Sequence, residues 1–374
     1  MPQIRGSNEL LEDVHQRELC IGCGACVDIC PYFKNYKGKT AQLFPCTLEQ
    51  GRCYAYCPKA EVDLDQLSQH LRGVPYDGSP LGAYREVLAA RAGDKMKKGT
   101  FQSGGTVTAL LTFALKTGLI DAAALTDRKA LTPIPRIVTD WREVLRCASS
   151  KFMAAPTLSS VNLAARQGYQ RIGVVGTPCQ VLAVAQMKSN PLAEESHKIP
   201  LSLTVGLFCN WSLDTRRLIE LLSEKMDISS IIWMDIPPPP ANILALATAS
   251  GRTEIPLSEI KPLIPHTCFI CPDLTSELAD VSVGMFEARP GWNTVILRSD
   301  KGTALIEHAC REGFIEIEDF PAENLSHLSR AAANKKDRSL RTLVRRELIN
   351  TKGEKRAAVR IPQDVINRIL NKKK

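Results

Sequence analysis

The chain has 374 residues, 44% hydrophobic and 24% charged, enough for one large and one small domain around a sizeable core. No apolar run spans a bilayer: the best, VTALLTFALKTGLIDAAAL, is broken by Lys116 and Asp121, and the first residues carry no apolar signal segment. Thirteen cysteines in such a chain predict metal or redox chemistry in a reducing cytoplasm rather than disulfides, and the net charge of +8 conceals a body at −3 and a tail, residues 330–374, at +11.

Residues 1–75 are dense in cysteine and turns and read as a small metal-stapled module. GVPYDGSPLG, residues 73–82, reads as a linker. From about residue 84 strands and helices alternate. GGTVTALLTFALKTG predicts a helix with Val107, Leu110, Leu111, Ala114 and Leu115 on one face and Gly118 at its C-cap; IDAAALT follows as a strand and TLSSVNLAARQG as a helix. RIGVVGTPC and LSLTVGLFC predict strands that each finish on a cysteine. IPPPPAN (236–242) is loop, ADVSVGMF and NTVILRS are strands, and GTALIEHACREG is a helix. The expected fold is α/β, parallel or mixed, over residues 80–330, behind a ferredoxin-like domain and ahead of a basic, helical tail, 331–374. That tail suits either a solvated helix or a surface for anionic lipid or an acidic partner subunit. It contains no aromatic residue and the chain no nucleic-acid motif, which argues against nucleic acid.

Cys20-x2-Cys23-x2-Cys26-x3-Cys30-Pro31 is the bacterial ferredoxin run, in which three cysteines take one cubane and the fourth reaches to a neighbouring cluster. A zinc site is the plain alternative, disfavoured by four cysteines in so short a run followed by proline. The second run offers only Cys46, Cys53 and Cys57. If Cys57 joins Cys20, Cys23 and Cys26 in a [4Fe–4S] cluster, Cys30, Cys46 and Cys53 are left one thiolate short. That permits a [3Fe–4S] cluster, a [4Fe–4S] cluster with a non-cysteine ligand such as Glu49, or no second cluster at all.

Cys179 and Cys209, at predicted strand ends, and the pair Cys268-x2-Cys271 together suit one more cubane, although Cys-x2-Cys also serves zinc knuckles and redox dithiols. Cys147 and Cys310 fit no pattern and read as core thiols. Ser103, Gly104, Gly105 and Thr106 precede a helix, where bare amides suit an anion or serve only as a cap. No dinucleotide fingerprint or P-loop is present.

The order SGGTVTALL, SSKF, VVGTPCQ, LFC, TCFIC-x-DLTSELADVSVG and VILRSDKG resembles the beta-subunit family of the deazaflavin (coenzyme F420) hydrogenases and dehydrogenases, over roughly residues 80–320. The resemblance implies an α/β core that binds FAD beside an iron–sulfur cluster. Ser103, Gly104, Gly105 and Thr106 would lie on the FAD with Ser150 and Lys151 nearby, and Gly176, Thr177 and Pro178 would bring backbone to flavin and cluster. Cys179, Cys209, Cys268 and Cys271 would be the ligands. It further implies hydride exchange with a soluble carrier and single-electron relay through two or three clusters to a hydrogenase, formate dehydrogenase or heterodisulfide-reductase-like partner. The alternative is an electron-transfer subunit without a hydride-carrier site. The incomplete second cysteine run and the basic tail depart from the family pattern.

Overall fold

Cysteine spacing and turns dominate the first 72 residues, which hold only short elements: α1 (Ser7–Leu10), the hairpin β1 (Phe33–Tyr36) and β2 (Lys39–Gln42), α2 (Arg52–Ala55), β3 (Val62–Asp63) and α3 (Leu64–Arg72). Asp63 starts α3 by accepting from the Gln66 amide at 3.0 Å, and Gly73, left-handed at φ 70°, ends it. The computed structural model describes residues 3–96, 101–350 and 356–371.

The alternating region follows as β4 (Glu86–Ala92), α4 (Thr106–Lys116), β5 (Ala122–Lys129), β6 (Thr132–Val138), α5 (Thr157–Arg166), β7 (Ile172–Gly176), α6 (Pro178–Ser189), β8 (Leu201–Leu207) and α7 (Thr215–Ser223). A three-stranded antiparallel sheet of β9 (Ile231–Asp235), β10 (Ile243–Thr248) and β11 (Gly251–Pro256) comes next, with the proline run as its first loop. After α8 (Leu257–Ile260) come β12 (Val281–Met285), β13 (Asn293–Leu297), α9 (Asp300–Arg311) and β14 (Ile315–Asp319).

One eight-stranded sheet, in the order β14-β4-β13-β12-β8-β7-β5-β6, carries the core. Its centre (β12, β8, β7, β5) is parallel and its flanks are antiparallel, so of the two expected sheet types the mixed one forms. Both faces are covered, which is why these strands read as unbroken apolar runs. Ala123, Leu125, Leu203 and Val205 face α4 and α9; their neighbours Ala122, Ala124, Ile172 and Val174 face α5 and α6. Leu110, Leu111 and Ala114 are buried as the helical period required, with Val107 and Leu115 packed at the edge of the same cluster. Cys147 and Cys310 are half-buried against it.

Two expectations are corrected. The strand before Cys179 stops at Gly176, and Cys179 lies in the first turn of α6 behind the Thr177 cap. Thr177-Pro178 is a helix start, because proline at the first helical position carries no orphan amide. The basic tail is also not separate: its helix packs one face onto the body and leaves the other to solvent. α10 (Ala322–Arg345) runs through the boundary placed at residue 330 and buries Ala332, Lys335, Lys336, Ser339, Leu340 and Leu343. That stripe recurs every three or four residues, a helical period hidden by counting charges alone. Beyond it, β15 (Ile349–Asn350) and β16 (Val359–Arg360) add to β3, and α11 (Gln363–Leu370) follows. Leu340, Leu343, Val365 and Ile366 thereby share one core with Leu10, Val14, Val62 and Leu67. Full burial of Leu340 and Leu343 contributes about 1.5–3 kcal/mol each. The 73–82 stretch contains no helix or strand, but Gly78 is pressed so closely on Val365 that a Cβ there would stand 2.6 Å from its Cγ1. Among the described residues no helix is long and apolar enough to cross a membrane.

Candidate functional site

The first cysteine loop is fastened to the α/β core by backbone. The Cys23 carbonyl accepts from the Leu158 amide at 2.9 Å, and Asn162 Nδ2, buried on α5, donates to the Ala25 and Val27 carbonyls at 3.0 and 2.7 Å. Gly24 permits this approach: a Cβ would stand 2.6 Å from the Pro156 carbonyl oxygen. α2 supplies Cys53, with Cys57 just after it, and Tyr56 packs with Cys23 against α5 and α6.

Eleven thiols fall into three neighbourhoods. Burial pushes the Cys23 thiol far up, and Cys57 and Cys20 add to the push. Burial does the same to Cys26, with Cys23, Cys20 and Cys57 adding. Burial also raises Cys57, up to about 12, with Cys20 within reach. Cys20, Cys23, Cys26 and Cys57 therefore form one electrostatically linked group. Cys53 is pushed up to about 12 by burial, and its raising thiol neighbours are Cys30 and Cys46, which makes a second group. Glu49, the candidate fourth donor there, is exposed. The third group lies past the C-terminal ends of β7 and β8. Burial and the charge of Cys271 push Cys179 up to about 11, and burial raises Cys209 strongly, with Cys179, Cys268 and Cys271 adding. The groups also act on one another in series: Cys179 raises Cys23, and Cys53 raises both Cys26 and Cys57.

Donors surround these sulfurs. Gly22 N lies 3.4 Å from Cys20 Sγ, Ser212 N lies 3.5 Å from Cys268 Sγ, and Thr177 Oγ1 stands 3.3 Å from Cys179 Sγ. Two buried lysines flank the third group. Lys59 lowers both Cys57 and Cys179, and Lys335 Nζ donates to the Cys209 and Asp273 carbonyls at 2.5 and 2.7 Å. Burial opposes the charge of Lys335, but Cys271 and Cys209 outweigh it and hold its pKa above the ordinary value. Among the described residues no three His, Cys, Asp or Glu side chains close around a point as they would on a single ion. A multi-iron cluster sets its thiolates wider apart than one ion does, because the metal atoms lie between them.

The Cys-x2-Cys-x-Asp motif proves to be a brace. Asp273 accepts from the amides of Thr275, Ser276 and Glu277 at 2.9, 2.8 and 2.8 Å, and Leu274 O accepts from Cys209 N at 2.9 Å. Arg298, 3% exposed, donates to the carbonyls of Leu81, Ala83 and Thr275, and Lys336 pairs with Glu277 at 2.7 Å beneath α10.

The remaining candidate residues come from three segments joined by direct bonds. Ser150 N donates to Gln102 Oε1 at 2.6 Å, tying the 101–106 turn to the 148–156 loop, and Gln180 Nε2 donates to the Ala155 carbonyl at 2.8 Å, tying that loop to Gly176-Thr177-Pro178. Ser103 Oγ donates to the Trp292 carbonyl at 3.1 Å. The Thr106 amide is already taken by Asn293 Oδ1 at 3.2 Å, so of the bare amides expected before α4 one is engaged. Gly105 is left-handed at φ 75°, and a Cβ on Gly104 would collide with Asn293 at 2.6 Å. Lys151 Nζ donates to the carbonyls of Cys147, Ala148 and Ser149, and burial lowers its pKa to about 8. Sequence reasoning misses Lys59, Asn162, Gln180, Asn293 and Lys335; each acts on partners distant in the chain, which spacing does not reveal.

Compared with known proteins, residues 87–162 match the N-terminal part, and residues 169–323 the C-terminal part, of the coenzyme F420 hydrogenase/dehydrogenase beta subunit, and a 4Fe-4S binding domain matches 14–32. The chain belongs to the coenzyme F420 hydrogenase/dehydrogenase beta-subunit family. It is 29% identical to the beta subunit of the coenzyme F420 hydrogenase of Methanothermobacter thermautotrophicus, over 71% of this chain and 96% of that one. It is 26% identical to a subunit of the F(420)H(2) dehydrogenase of Methanosarcina mazei, over 84% and 88%. A chain of the F420-reducing [NiFe] hydrogenase complex from Methanosarcina barkeri superposes with a TM-score of 0.66 at 27% identity, covering 71% of this chain and 94% of that one. These relatives are oxidoreductase subunits, and the sequence-based expectations of family and of an α/β fold with a ferredoxin-like front agree with them.

Proposed function

We propose that this chain is the hydride-exchanging subunit of an F420-linked oxidoreductase, with FAD bound at the sheet edge and iron–sulfur clusters leading from it to a partner subunit. The observation that supports the reading is the serial electrostatic influence among the three thiol groups, Cys179 on Cys23 and Cys53 on Cys57. Cys179, Cys209, Cys268 and Cys271 would hold the inner [4Fe–4S] cluster and Cys20, Cys23, Cys26 and Cys57 the middle one. Cys30, Cys46 and Cys53 would hold an outer cluster, [3Fe–4S] or completed by a donor other than cysteine. When bound, FAD interconverts a hydride with two single electrons and each cluster carries one. Ser103, Gly104, Gly105 and Thr106, with Ser150, Lys151, Gly176, Thr177 and Pro178, would line the flavin. The fit rests on convergence: the two side-chain bonds from Gln102 and Gln180 fix these three segments at the strand edge that leads to Cys179. The chain's own residues position the thiols, exclude water by burial and hold cations beside them. A hydrogenase, formate dehydrogenase or heterodisulfide-reductase-like subunit is the proposed partner.

The test is anaerobic reconstitution followed by iron, sulfide and flavin analysis and reduction by reduced deazaflavin against NADH. Bleaching by the deazaflavin alone is the expected result. A chain that binds clusters but no flavin, and is reduced by neither, supports the pure electron-transfer role and rejects the hydride site.

A further inference from the structure

Two side chains of α10, Lys335 and Ser339, bond backbone carbonyls of the segments that carry the inner thiols, and of these two only Lys335 is charged. Lys335 Nζ bonds the Cys209 carbonyl at 2.5 Å and the Asp273 carbonyl at 2.7 Å; one turn on, Ser339 Oγ bonds the Cys271 carbonyl at 2.8 Å. Lys335 is 3% exposed and Ser339 fully buried. Carbonyls satisfy an ammonium's donors but leave its charge unbalanced, and burying an unbalanced ammonium is costly. The carboxylate of Asp273 is engaged by three amides. The negative groups that act on Lys335 are the thiols Cys271 and Cys209, then the Asp273 carboxylate, then the Cys179 thiol. A buried cation whose counter-ions are mostly metal-ligand candidates is matched to a site that is net negative when filled. Lys59 acts on both Cys57 and Cys179 and so serves two groups at once.

We infer that Lys335 sets the potential of the inner four-cysteine site: its fixed positive charge, aimed by two ligand-bearing loops, favours the reduced cluster over the oxidised one. The inference rests on the proposed cluster at Cys179, Cys209, Cys268 and Cys271. The step is the addition of one electron to that cluster; no bond forms or breaks and no proton moves. Lys335 acts through the ligands and is a positioning residue.

The experiment is an EPR-monitored redox titration of the reconstituted full chain with dithionite and mediators, the inner signal being assigned by its loss in Cys209→Ser. Lys335→Gln and Lys335→Met should lower the reduced-to-oxidised ratio at a fixed poise about tenfold, a fall of about 59 mV for a one-electron couple. Lys335→Arg should restore the potential, and Ser339→Ala, which removes a neutral staple from the same helix, should leave it in place. An unmoved potential in both charge-removed variants at full iron content overturns the inference, and so does an equal shift in Ser339→Ala. If Lys335→Arg loses inner iron as the other two do, the side chain acts by shape and the inference falls. A wild-type chain without an inner cluster, seen in its iron count, fails the underlying reading itself.

Discussion

Cys179, Cys209, Cys268 and Cys271 lie on separate segments beside a 24-residue helix, whereas Cys46 sits in a loop between exposed Phe44 and Leu48, at 59% and 67% exposure, with Cys30 half-buried and Cys53 buried. The inner cysteines are half-buried and burial raises the Cys179 and Cys209 thiols, so charge on these sulfurs is balanced in part by the protein. Lys59 and Lys335 do this at 6% and 3% exposure. Near the outer group Lys34 pairs with Asp28 at 4.0 Å, partly exposed and screened by solvent. The contrast teaches that similar thiol chemistry is supported by a distant helix and buried lysines at one end and, at Cys46, by an exposed loop at the other. The two ends should then fail differently when disturbed.

The largest effect is expected at the inner end. Cys209→Ser should remove the whole inner cluster, about four iron atoms per chain, and abolish deazaflavin oxidation, while EPR signals of the ferredoxin-like clusters persist. Survival of the inner signal would mean that Cys209 is no ligand. Next in size is Lys336→Met, which strands Glu277 under α10. Breaking a buried pair costs about 3–5 kcal/mol, read as a lower denaturation midpoint. Burial already holds the Glu277 carboxyl up at about 7 despite Lys336. Without the lysine the folded state binds that proton more tightly than the unfolded chain does. Stability of the variant should therefore fall as pH rises from about 4.5 through 7. A variant whose stability is flat across that range would show that Glu277 has found another partner.

The difference between the two ends also explains what the sequence could show. The ferredoxin run is local: four cysteines and a proline within reach of one another are expected to offer three ligands to one cluster, and Cys20 and Cys57 both act on buried Cys23 and Cys26. The strands and helices of the core are legible for the same reason, since period two and period 3.6 are local signals. Cys209 and Cys271 lie too far apart for spacing to join them, and only the family resemblance brings them together. Lys335 is invisible in the sequence. In a tail of net +11 it counts as one charge among fifteen, because burial depends on what packs over a helix face and no such partner is visible in the tail's own residues. Cys179 reads as a strand end because the turn at Gly176 and the helix after it are signalled only by Thr177-Pro178.

Two smaller effects sharpen the comparison. Asn162→Ala removes the donor that gathers the Ala25 and Val27 carbonyls onto α5. Leaving buried carbonyls without a partner costs about 1–3 kcal/mol, and the first cysteine loop should release iron to a chelator faster than wild type while the inner cluster holds. Leu48→Ser should be the mildest change. Leu48 is 67% exposed, so there is little burial to lose, and substitutions at such positions stay within about 0.5 kcal/mol. Its thermal midpoint should match wild type, and the outer cluster should form normally, because the exposed Leu48 side chain is not part of the core that packs Cys30 and Cys53. A clear drop in midpoint would show that the outer group depends on long-range packing as the inner one does, and the distinction between the two ends would collapse.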